Sequence, residues 1–72
     1  MDTGIKLKLA NRLRELRKKQ GLTQEKLAEL AGIDYKHVQL LESKKAPAPK
    51  VDTLEKLAKA LNISLSCLLN FK

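Results

Sequence analysis

Apolar side chains recur along this chain in steps of three and four, divided by charged residues, and strict alternation is absent. Leu9, Leu13 and Leu16, with Ile5 or Lys6 at a frayed start, line one face of a helix that ends before Gly21, a fitting C-terminal cap. Three later helices open with one shared signature: a capping residue, an apolar residue just before it, and another four positions inside. Leu22, Thr23 and Leu27 make the first of these staples, Ile33, Asp34 and Val38 the second, and Ile63, Ser64 and Leu68 the third. Gly32 separates the second and third helices by about three residues, the length of the turn in a helix-turn-helix.

After Glu42 comes "SKKAPAPK", whose prolines and lysines read as a loop. The next helix is "VDTLEKLAKAL", with Val51, Leu54, Leu57, Ala58 and Leu61 as its buried stripe and Asp52 favourably placed against the helix dipole. Lys50 is a poor cap for it, and Asn62 can close it in the left-handed conformation. A last, nearly apolar helix runs from Leu65 to about Asn70. The pattern predicts five helices and no sheet in a single domain, residues 1–72.

Composition sharpens this picture. Aromatic residues make up only 3% of the chain, so the core must be built from Leu, Ile, Val and Ala, a mix that favours close-packed helices. So short a chain buries only about 60% of its unfolded surface, and its core is marginal. Cys67 is the only cysteine, so no intrachain disulfide can form, and one thiol suits a reducing cytosol. The apolar stretches are too short to span a bilayer and no signal peptide is visible, so the expected setting is the cytoplasm, with no membrane partner.

The net charge of +7 fits a polyanionic partner, or a solubilising surplus. Its distribution is uneven. Residues 1–20 carry Lys6, Lys8, Arg12, Arg14, Arg17, Lys18 and Lys19 against Asp2 and Glu15, whereas residues 21–45 are balanced. The first helix should supply the long-range field, and the second segment something more specific.

The stretches "LRELRKKQGLTQEKLAELAGI", "HVQLLE" and "TLEKLAKALNISLSCLL" together resemble the phage repressor and Cro-like helix-turn-helix DNA-binding family over residues 9–69. The resemblance implies an all-α, compact five-helix, lambda-repressor-like domain whose helix-turn-helix spans about residues 23–42. It also implies dimeric operator binding and transcriptional regulation. The helix over residues 34–42 then matches the recognition helix, with Val38 and Leu41 inward. The base-reading positions of the family match Tyr35, Lys36 and Leu40, with Gln39 adjacent. A lysine can donate to guanine and a glutamine can bond adenine bidentately; Leu40, where the family usually carries a polar residue, can pack on a thymine methyl or be partly buried.

Arg17, Thr23, Gln24, Ser43, Lys44 and Lys45 are the phosphate contacts the resemblance implies, Gln24 also buttressing the next helix. Glu42 and Arg17 match a family ion pair joining the recognition helix to the first helix. His37 matches a packing position. Lys44 departs from the glycine that is common there at positive φ, so the loop is expected to differ locally. Leu65, Leu68, Leu69 and Phe71 are the expected dimer interface, and Cys67 fills core or interface.

The leading expectation is a sequence-specific regulator, most simply a repressor, binding double-stranded DNA as a homodimer. The alternative is a protein-interaction or antitoxin-like module on the same fold. An enzyme is not expected: one histidine and one cysteine cannot assemble a metal site, and no nucleophile–base pair or glycine-rich phosphate motif is visible. No cofactor or small-molecule substrate is implied.

Overall fold

The computed structural model describes residues 2–45 and 48–70, and no strand occurs among the described residues. The helices are α1 (Asp2–Lys19), α2 (Gln24–Ala31), α3 (Tyr35–Leu41), α4 (Val51–Ala60) and α5 (Leu65–Leu68). The all-α, five-helix expectation therefore holds.

Three of the junctions use one three-residue device: Gly21-Leu22-Thr23, Gly32-Ile33-Asp34 and Asn62-Ile63-Ser64. The first residue of each turns left-handed, at φ 71°, 70° and 58° respectively. That lets the next N–H reach back five positions and satisfy a carbonyl the ending helix leaves open. The bonds are Leu22 to Arg17 (3.1 Å), Ile33 to Ala28 (3.0 Å) and Ile63 to Ala58 (3.0 Å). The apolar middle residue packs on the core, so it closes one helix and staples the next. Its follower is the next N-cap.

Asn62 is the only non-glycine at positive φ among the described residues. A side chain bears a steric cost there that glycine does not. Asn62→Gly should therefore raise stability by a few tenths to about 1 kcal/mol, read as a higher urea midpoint at unchanged m-value. A lower midpoint would show that the asparagine makes a compensating interaction.

The core gathers Leu13 and Leu16 of α1, Leu27, Ala28 and Ala31 of α2, Val38 and Leu41 of α3, Leu57 and Ala58 of α4, Leu61, and Leu68 of α5. A radius of gyration of 10.9 Å is that of a close-packed chain of this length. Three expected core members lie outside it, of which Leu9 is the mildest case, half-buried but not packed on the cluster. Ile5 is 63% exposed, because α1 begins well ahead of Ala10, its first buried residue; Val51 is 71% exposed, because the core closes only on the later turns of α4. The last helix is also shorter than expected, one turn ending at Leu68. No helix among the described residues is long and apolar enough to cross a membrane.

Candidate nucleic-acid interface

Seven residues make α3 barely two turns, so packing rather than propensity must hold it. Val38 and Leu41 face inward and are buried. With about 100° per residue, that leaves Lys36, Gln39 and Leu40 on the opposite side. All three are exposed, as is Tyr35 at the first position; Leu40 is 54% exposed and Tyr35 43%. Of the two readings open for Leu40, partial burial is therefore the weaker. His37 lies at the half-buried boundary.

The other side of α3 is locked to two helices through Glu42. Arg17 of α1 grips this carboxylate with two parallel bonds, Nε to Oε2 at 2.8 Å and Nη2 to Oε1 at 3.0 Å. Gln24 of α2 adds a third, Nε2 to Oε1 at 3.1 Å, and Arg17 Nη1 donates to the Leu22 carbonyl at 2.7 Å. Both members of the pair are buried. Fork-to-fork geometry is the form of ion pair that best repays desolvation. It ties the end of α3 to α1, and the Gln24 bond ties the same end to α2.

The residues expected at phosphates separate into two groups. Thr23 Oγ1 accepts from the Lys26 N–H at 3.0 Å, so its own proton remains free to donate outward. Gln24 keeps one amide proton beyond the one given to Glu42. Lys44 and Lys45 are exposed beyond the end of α3. In contrast, Ser43 gives its only hydroxyl proton to the Leu40 carbonyl at 2.7 Å. Arg17 is buried with each of its three nitrogens engaged, so little of it is left for a phosphate. Lys26 pairs with Glu29 at 2.8 Å, and that hydrogen bond together with the lysine charge holds the Glu29 carboxyl below its ordinary range. At Lys44, where the loop is expected to differ locally, the backbone is not at positive φ.

The expected dimer surface needs one correction. Leu68 is 0% exposed and belongs wholly to the monomer core, because the staple with Ile63 turns it inward. Leu65 also packs on the core in part, Leu69 stays exposed, and Phe71 lies outside the described residues.

Two structural side chains carried no periodic signal. Gln20 Nε2 donates to the Leu61 carbonyl at 2.6 Å, and Arg12 Nη2 to the Cys67 carbonyl at 3.0 Å. Both satisfy carbonyls at the ends of α4 and α5. Arg12 also meets Glu15 at 3.3 Å. With Arg17 neutralised by Glu42, less of the charge on α1 reaches outward than its sequence implies.

Residues 13–66 match the helix-turn-helix family. The transcriptional regulator PuuR of Escherichia coli is 42% identical over 55 residues, which cover 76% of this chain and 29% of PuuR. SinR of Bacillus licheniformis is 31% identical over 64 residues, covering 89% of this chain and 58% of SinR. The chain thus spans under a third of PuuR and just over half of SinR. The crystal structure of the restriction-modification controller protein C.AhdI from Aeromonas hydrophila superposes with a TM-score of 0.81 at 40% identity, covering 86% of this chain and 92% of that one. The chain belongs to the helix-turn-helix family, a non-enzymatic family of DNA-binding transcriptional regulators.

Proposed function

We propose that this domain is a sequence-specific regulator that binds double-stranded DNA as a homodimer, with α3 in the major groove. The observation that carries the reading is the reading edge itself. Tyr35, Lys36, Gln39 and Leu40 stand in water on a short helix whose opposite side is fixed by Val38, Leu41 and the Glu42 pair. A helix braced so firmly pays little ordering entropy when it enters a groove. Lys36 and Gln39 read base edges, Leu40 meets a thymine methyl, and Thr23, Gln24, Lys44, Lys45 and Lys50 hold phosphates. Exposed Leu69 and half-buried Leu65 contribute to the homodimer, which places two reading helices about one helical turn apart. Such a dimer represses most simply, by occupying its operator. A DNA target and a lone thiol both fit the cytoplasm. The kinship to PuuR, SinR and C.AhdI supports regulation as its role.

Selection of binding sites from random duplex DNA at fixed salt tests the reading. The wild-type chain should enrich a two-fold symmetric site. Lys36→Ala and Gln39→Ala should each lower discrimination by roughly tenfold, while Lys45→Ala weakens all sequences alike. No binding to any duplex at low salt would favour the protein-interaction alternative instead.

A further inference from the structure

Asp34 stands immediately ahead of the reading helix as its N-cap, with extended backbone at φ −68° and ψ 143°. Thr23 and Ser64 occupy the same position on α2 and α5, and there the side-chain oxygen accepts the third N–H of the helix, from Lys26 at 3.0 Å and Cys67 at 3.1 Å. Asp34 does otherwise. Its backbone carbonyl takes the equivalent N–H of His37 at 3.0 Å, together with that of Val38 at 3.2 Å, and its carboxylate makes no cap bond. Its side chain is exposed and has no hydrogen-bond or ion-pair partner among the described residues. A full carboxylate one residue ahead of Tyr35, at the start of α3, is thus left unspent by the fold.

We infer that Asp34 is a specificity-determining residue, accepting a hydrogen bond from the exocyclic amine of a base, cytosine foremost. This rests on the DNA-reading function proposed above. The N-terminal residues of a recognition helix are those that meet base edges. A carboxylate is acceptor-only, and phosphates repel it, so among the groups DNA presents it can pair only with an amine. In the major groove those are the N4 amine of cytosine and the N6 amine of adenine. Guanine and thymine set acceptors at the equivalent place, and acceptor against acceptor repels. Asp34 therefore selects in both directions, by attraction to one base and by exclusion of others. Lys36, two residues on, does the converse toward guanine, so the two side chains suit opposite members of G·C pairs.

The experiment selects sites from random duplex DNA with the full chain, its Asp34→Ala variant and its Asp34→Asn variant at one salt concentration. Thermal midpoints are measured in parallel. In the wild type one half-site position should favour cytosine. In Asp34→Ala that preference should fall by roughly tenfold or more, with preferences elsewhere in the half-site retained and the thermal midpoint unchanged. Asp34→Asn, which adds a donor, should move the same position toward adenine. An Asp34→Ala variant that binds every sequence more tightly by one factor overturns the inference, since the carboxylate would then only repel phosphate. Unchanged selectivity overturns it too, as does a lower midpoint with uniform loss of affinity, which would mark Asp34 as a cap. Each of these leaves the DNA-reading function standing. A wild-type chain that enriches no sequence overturns that function and this inference with it.

Discussion

Glu42→Ala should lower the unfolding free energy by about 3–5 kcal/mol, a large share of what a small domain has. The reason is the asymmetry between breaking a buried pair and never having had it. Arg17 lies under α3 with two bonds to this carboxylate and a third to the Leu22 carbonyl. Removing Glu42 strands a guanidinium that has already lost its water, and Gln24 loses its acceptor at the same moment. Glu42→Gln should fall in between, since an amide oxygen can still accept but brings no charge. Gln24→Ala should cost about 0.5–1.5 kcal/mol, the ordinary value of one partly exposed bond. Replacing both members of the pair, as Arg17→Met with Glu42→Leu, should recover much of the loss. Urea denaturation followed by helical circular dichroism reads all four variants. A midpoint unchanged in Glu42→Ala would mean that the pair is relaxed by water and does not hold α3.

Raising salt from about 50 mM to about 200 mM should weaken DNA binding by the proposed dimer roughly thousandfold. Lys44, Lys45 and Lys50 are exposed around the loop after α3. Two protomers placing these three at phosphates would neutralise about six charges, for a slope of affinity on salt near −5 in logarithms. The pair of substitutions Lys44→Ala and Lys45→Ala should flatten that slope by about three to four. Lys36→Ala should change it less, because a base contact displaces fewer counterions. Fluorescence anisotropy of a labelled duplex across a salt series measures each slope. A slope near zero for the wild type would remove the electrostatic part of the proposed function, whatever the sequence preference.

The comparison of slopes also bears on how the charge of the chain is used. The seven basic residues within residues 1–20 read as one attractive field. Folding diverts part of it: Arg17 goes into the buried pair and Arg12 to the Cys67 carbonyl. The exposed basic residues nearest α3 along the chain are Lys36 within it and Lys44 and Lys45 just after it.

Much of the fold was legible residue by residue because its determinants are local. A step of three or four places side chains on one face of a helix, and the triplets at 21, 32 and 62 close one helix and open the next within six residues. Those patterns placed α2 and α3, their turn, and the outward set Tyr35, Lys36, Gln39 and Leu40. Likeness to a known family added the Arg17–Glu42 pair, whose members lie 25 positions apart.

Tertiary structure decided what periodicity cannot carry, namely which apolar positions find a neighbour and which polar groups find a partner. Ile5 and Val51 fit their stripes but reach past the core, while Leu68 is drawn into it. Gln20 and Arg12 meet carbonyls 41 and 55 positions away, contacts that exist only once α4 and α5 have folded back onto α1. Asp34 reads as a cap by its type and place, yet its own backbone carbonyl takes the His37 N–H that a capping carboxylate would serve. Helix and turn follow from spacing along the chain, because their bonds span only a few residues. The duties of Arg12 and Gln20 follow from distances in space, and those are set when the helices pack.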